Sequence, residues 1–229
     1  MKLRKPRRED VSVYRPGDIL LFSGLWSDRA SRAIKVGTCS RWTHVAGCVY
    51  IAPRDIQDAN VRRMNAGEKP MPVDAATWRS GVYLFEATTL CDAPCLVQLA
   101  PVSGVQVHPV TERVCGYKGT VALRRLITPM TRLESKLLTV RVLDTIGKQY
   151  DFSGAGISAT WIFKWWAGRR KASNTAEMFC SEELLECYQF ALYRRLTRRV
   201  TSGAYPPRDV ASWGASLYGK TDLVKARTR

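Results

Sequence analysis

Thr43-His44-Val45-Ala46-Gly47-Cys48-Val49-Tyr50-Ile51 is the stretch whose reading decides the fold. A histidine heads a run of small and β-branched residues, the composition of a buried strand. Upstream, Arg15-Pro16-Gly17-Asp18 is a turn signal leading directly into Ile19-Leu20-Leu21-Phe22, a second short apolar strand. Between the two, Asp28 to Val36 carries Ala30, Ala33, Ile34 and Val36 at a spacing that suits a short helix with a basic outer face. Downstream, residues 52–80 are polar, contain Pro53, Pro70 and Pro72, show no period and read as an inserted loop. Val82 to Ala87 is a third strand with Glu86 near its end, and Leu96–Leu99, Gly104–His108 and Thr120–Leu126 continue the sheet pattern.

Helices follow the strands. Pro129 to Ile146 has leucines and valines at roughly helical spacing, Thr131 as N-cap and Gly147 just past the end. A last amphipathic helix begins near Glu177, and over Phe179–Leu196 it puts Leu184, Leu185, Tyr188, Ala191 and Leu192 on one face. No internal repeat is visible, and this order of elements is that of an α+β protein.

At 229 residues, 45% apolar and 10% aromatic, the chain suits one domain with a sizeable core and excludes a disordered class. Its 36 Lys and Arg against 20 Asp and Glu leave a formal charge of +16, which raises the local concentration of any polyanion. Much of that excess lies in a basic leader over residues 1–14, in Gly168–Lys171, in Arg194–Arg199 and in a basic tail over 201–229. No RNA- or DNA-binding motif accompanies it, so nucleic acid is not an expected partner. Seven cysteines at no regular metal spacing suit free thiols in a reducing compartment, and neither a metal nor another cofactor is expected. Met1 to Asp10 is mostly charged with no apolar run behind it, and the most apolar tract, Gly154–Ala167, is broken by Lys164. That tract is shorter than the ~20 residues of a spanning helix. The expected location is therefore cytoplasmic.

The chain has only two histidines, His44 and His108, the latter in a polar, Pro-flanked edge. Among the cysteines, Cys180 stands at the start of the last amphipathic helix, where unpaired N–H groups and the dipole lower a thiol pKa. Glu86, on a strand next to that of His44, is the kind of carboxylate that orients an imidazole.

Taken together, Pro16-Gly17-Asp18-Ile19, Thr43-His44-Val45-Ala46, Phe85-Glu86-Ala87, Tyr150-Asp151-Phe152 and Phe179-Cys180-Ser181-Glu182-Glu183-Leu184 resemble the circularly permuted NlpC-like, papain-fold cysteine hydrolases. The likeness is to the YiiX-like branch, more distantly related to lecithin:retinol acyltransferase. It runs in short blocks from about Arg15 to Leu196, with the histidine strand before the cysteine helix, the reverse of papain. It implies a catalytic domain over 15–200 with insertions at 52–80 and 153–176, an antiparallel sheet packed against helices, and the cysteine at a helix N-terminus.

The resemblance also implies roles: Cys180 as nucleophile, His44 as general base, Glu86 as the residue orienting His44, and Tyr150 beside the oxyanion. Asp18, Trp42 and Trp161 are candidates for contact with substrate, although Asp18 equally suits a turn-holding role. The sequence departs from the family in having Glu182 and Glu183 in tandem, carboxylates that oppose thiolate formation at Cys180. The long 153–176 segment departs too, with Trp161, Trp165 and Trp166 ahead of Arg169 and Arg170. Such a cluster suits either a lid over the cleft or peripheral contact with an anionic membrane. Three functions follow: cleavage of an amide in a peptide or peptidoglycan-type substrate, lipid thioesterase or acyltransferase chemistry, or non-catalytic binding on the same fold. Oligomeric state is not legible.

Overall fold

The structure, a computed structural model, describes residues 14–88, 94–150, 177–178, 180–192 and 218–225, with the backbone alone for 30, 37–38, 150, 177–178, 180–183 and 218–225. It is an α+β architecture built on a six-stranded sheet. In chain order the elements begin with β1 (Ile19–Ser23), α1 (Arg29–Thr38), β2 (His44–Ile51), α2 (Pro53–Asn65), β3 (Gly81–Thr88) and β4 (Gly104–Pro109). They continue with α3 (Val110–Gly116), β5 (Thr120–Leu126), α4 (Arg132–Thr145), β6 (Gln149–Tyr150), β7 (Glu177–Met178), α5 (Cys180–Ala191) and β8 (Tyr218–Lys225). The sheet order is β4-β3-β2-β1-β5-β8, and each neighbouring pair runs antiparallel.

β1 starts where the turn signal places it. Pro16 and Gly17 are the central residues of a turn in which Asp18 N–H donates to Arg15 O at 3.0 Å. Gly17 takes φ +89°, a conformation that favours glycine. The Asp18 carboxylate closes the turn by accepting from Arg15 N–H at 2.9 Å.

Alternation along the strands divides the core in two. Leu20, Phe22, Ala46, Cys48 and Leu84 face α3, meeting Val110 and Val114. Ile19, Leu21, Val45, Val49, Ile51, Phe85, Val105 and Val107 face the other way, where they meet Ile56 and Ala59 of α2, Leu138 and Val142 of α4, and Leu184 and Tyr188 of α5. The sheet is thus a middle layer with α3 on one face and α2, α4 and α5 on the other. α5 can lie flat on β2 because Gly47 has no side chain. A Cβ there would overlap the Phe85 ring and lie 2.8 Å from Leu184 Cδ1.

Several sequence expectations need correction. Residues 52–80 are not all loop, because α2 forms with Pro53 in its first turn and Asp55 accepting from Ala52 N–H at 2.8 Å. Only Ile56 and Ala59 of α2 are buried, too narrow a stripe to register as a period. Leu96–Leu99 is a turn closed by a single Cys95–Ala100 bridge, not a strand. The 201–229 tail contributes β8, an edge strand on β5. α4 matches its expected caps, with Thr131 Oγ1 accepting from Glu134 N–H at 3.2 Å and the Glu134 carboxylate accepting from Thr131 N–H at 2.7 Å. Among the described residues, no helix is long and apolar enough to cross a membrane.

Candidate active site

His44 is the first residue of β2 and pairs with Phe22 of β1, so its ring leaves the sheet on the α3 face. Glu86 of β3 lies on the same face, opposite Gln106 of β4. The two side chains meet: His44 Nε2 is 2.5 Å from Glu86 Oε2, with the Glu86 side chain fully buried and that of His44 16% exposed. An ionised carboxylate only accepts, so in this contact the imidazole carries its proton at Nε2.

A third side chain completes the arrangement. Arg113, from α3, spans Glu86 with a fork, Nε donating to Oε1 at 2.6 Å and Nη2 to Oε2 at 3.2 Å. The guanidinium also lies over the rings of Phe22 and Tyr117 at 5.3 and 5.6 Å. His108 stands behind, with Nε2 2.9 Å from Gln106 Oε1 and 4.0 Å from Glu86 Oε1. Thr43, next to His44, accepts from Gly24 N–H at 3.1 Å through its hydroxyl and donates to Phe22 O at 3.2 Å, fixing the entry to β2.

These contacts set the charges. Burial pushes the Glu86 carboxyl up, but the His44 hydrogen bond and charge and the Arg113 guanidinium outweigh it and bring the group down to about 2 from the usual 4.5. Burial pushes His108 below its ordinary value against the opposing pull of Glu86, with Arg113 adding to the depression. Burial likewise raises Tyr117, opposed by its hydrogen bond with Thr43.

A pH dependence follows from the depressed Glu86 value. Its contribution to stability is fully present above about pH 4.5 and is lost as pH falls toward 2; the difference corresponds to roughly 3 kcal/mol. Asp18, which burial raises, works in the opposite sense. Comparing wild type with Glu86→Gln by urea unfolding therefore isolates Glu86. A gap of roughly 3 kcal/mol is expected at pH 6, closing by pH 2. A gap that is constant with pH would refute this account of the charge.

The other sequence candidates divide. Cys180 is the first residue of α5, and its backbone position follows from two sets of contacts. Tyr150 in β6 pairs in parallel with Met178 in β7, two residues ahead of Cys180. β6 is in turn held at the Gly104 end of β4, where Val105 N–H donates to Lys148 O at 3.0 Å. In the antiparallel register that end of β4 lies beside Thr88, the end of β3 that adjoins the start of β2. One end of the sheet thus gathers His44, Glu86, the backbone of Tyr150 and the entry to α5.

Side-chain direction differs, however. α5 packs through Leu184 and Tyr188 on the face away from α3, with Phe85 and Tyr188 stacked at 6.2 Å.

Asp18 is buried in the turn ahead of β1. Its carboxylate accepts from Arg125 Nη2 at 3.0 Å, while its carbonyl accepts from Cys48 N–H and from the Tyr188 hydroxyl at 3.0 Å. These bonds give it the turn-holding role. Trp42 is buried in the larger core cluster, with Arg41 over its ring at 4.3 Å, so its surroundings are those of a core side chain. Trp161, Trp165, Trp166, Arg169 and Arg170 lie outside the described residues.

Sequence reasoning missed Arg113, Gln106 and Tyr117 and set His108 in a polar, Pro-flanked edge. β4 is indeed at the sheet edge, but α3 covers it and leaves His108 1% exposed. A buried Glu86 demands a cation, which is the one signal pointing to Arg113. Nothing in the sequence singles that arginine out among 36 basic residues. Among the described residues, no group of three or more His, Cys, Asp and Glu side chains could hold a metal ion.

No family model matches the chain, and no curated protein matches its sequence. Among solved structures, the chain is similar to the crystal structure of metalloprotein yiiX from Escherichia coli O157:H7. The identity is 19% and the TM-score 0.45, covering 78% of this chain and 67% of that one. So slight a likeness carries no residue roles across.

Proposed function

We propose that the protein is a cysteine-dependent hydrolase of the permuted papain-like, NlpC-like kind that cleaves an amide through an acyl-enzyme on Cys180. The observation that supports this reading is the pairing of His44 with a buried, ionised Glu86 at the sheet end to which β6 and β7 bring the start of α5. In this reading the Cys180 thiolate attacks the carbonyl carbon. The C–N bond breaks as His44 passes its Nδ1 proton to the leaving amine. Water, deprotonated by His44, then hydrolyses the thioester, and the proton returns to Cys180. Glu86 holds the ring by Nε2 throughout and favours the imidazolium of the ion pair. The same thioester would serve a lipid ester, but the aromatic segment that favours a membrane lies outside the described residues.

The face on which His44 emerges favours a second reading. With α5 packed on the opposite face, the His44–Glu86–Arg113 cluster would be a structural clamp, and the protein a binding module without chemistry. Incubation with a small activated ester separates the two, with Cys39 and Cys115 as exposed internal controls. The hydrolase reading expects one hydroxylamine-labile acyl group, mapped by mass spectrometry to Cys180 and absent in His44→Ala. Acylation spread over Cys39 and Cys115, unaffected by His44→Ala, would leave the clamp reading standing.

A further inference from the structure

Glu86 alone would hold a proton on His44 too firmly for the residue to give it back. A fully buried carboxylate 2.5 Å from an imidazole favours the imidazolium strongly, whereas a general base that also acts as acid works best when its proton affinity lies near the operating pH. The structure supplies a counterweight. Arg113 takes both oxygens of Glu86, and the Phe22 and Tyr117 rings, 5.3 and 5.6 Å from its guanidinium, flank the fork.

We propose that Arg113 is a positioning residue: it fixes the Glu86 oxygen that binds His44 and draws off enough of the carboxylate's charge for His44 to exchange its proton near neutral pH. This rests on the reading of His44 as the base.

Among the described residues, Phe22 of β1 and Glu86 of β3 meet the His44 ring, His108 of β4 stands beyond Glu86, and Arg113 of α3 reaches Glu86 while lying over Tyr117 at the C-terminal end of α3. Arg113 is the cation that contacts the carboxylate through a planar fork. A lysine would supply a point charge without fixing the orientation of both oxygens.

The test does not depend on turnover, so it can fail separately from the hydrolase reading. With only two histidines in the chain, the imidazole proton resonances of the full-length protein are assigned by His108→Gln and titrated by NMR. Arg113→Met is expected to raise the His44 titration midpoint by about one pH unit, a tenfold gain in proton affinity. Arg113→Lys is expected to fall between Arg113→Met and wild type. A His44 midpoint that stays at the wild-type value in Arg113→Met, with only the unfolding midpoint lowered, would overturn the proposal and leave Arg113 a structural residue. Should the methionine variant fail to fold, Arg113→Lys decides: an unmoved midpoint overturns the proposal and a raised one supports it.

Discussion

Replacing Glu86 by alanine is expected to remove about 3–5 kcal/mol of folding stability at neutral pH, the loss seen when one member of a buried ion pair is deleted. The size follows from what would be left behind. Arg113 and His44 are each 16% exposed, and both direct hydrogen-bond donors at the lost carboxylate. Deleting it strands a guanidinium against Phe22 and Tyr117 and opens a cavity at a position with no solvent exposure. Urea unfolding followed by tryptophan fluorescence measures the loss. A variant within about 1 kcal/mol of wild type would mean that the cluster is not the electrostatic centre of this face.

The second large effect concerns chemistry. His44→Ala is expected to slow alkylation of Cys180 at pH 7 by roughly tenfold. A thiol with an ordinary value near 8.5 is only a few per cent thiolate at that pH, whereas an imidazolium-paired thiol is nearly all thiolate. Ionisation alone would give about a thirtyfold difference, and the weaker nucleophilicity of a more acidic thiol takes back part of it. Glu182 and Glu183 fall within the first turn of α5 and act against the thiolate, so the His44 contribution has to outweigh theirs. Cys39, exposed and on α1's C-cap, serves as the reference thiol in the same sample. Equal slowing at both cysteines would indicate a general loss of structure.

What was legible from sequence follows a physical pattern. β1, β2, β3 and β5 could be read because each is a dense apolar or alternating run bounded by turn residues, and α4 because its caps are local. α2 and α3 escaped for the opposite reason. One buries two side chains and the other is seven residues long, so their helicity depends on the sheet beneath them. β8 is an edge strand whose partner, β5, lies about a hundred residues earlier, a pairing with no local signal.

The site divides the same way. His44 and Glu86 could be picked out as polar residues in apolar strands, and their register puts them together. Arg113 reaches Glu86 from a different element 27 residues away, and only the packing of α3 on the sheet brings it there. Asp18 was legible as a turn residue, but its long-range partners Arg125 and Tyr188, 107 and 170 residues away, carry no local signal.

The central claim, that Cys180 is an activated nucleophile served by His44, is tested most directly by the rate of Cys180 alkylation as a function of pH. The measurement is made on the intact protein, with each thiol resolved by mass spectrometry. The expected profile for wild type has its midpoint below about pH 7 and loses that acid limb in His44→Ala. A midpoint near 8.5 in both proteins, the value of an ordinary thiol, would contradict the claim.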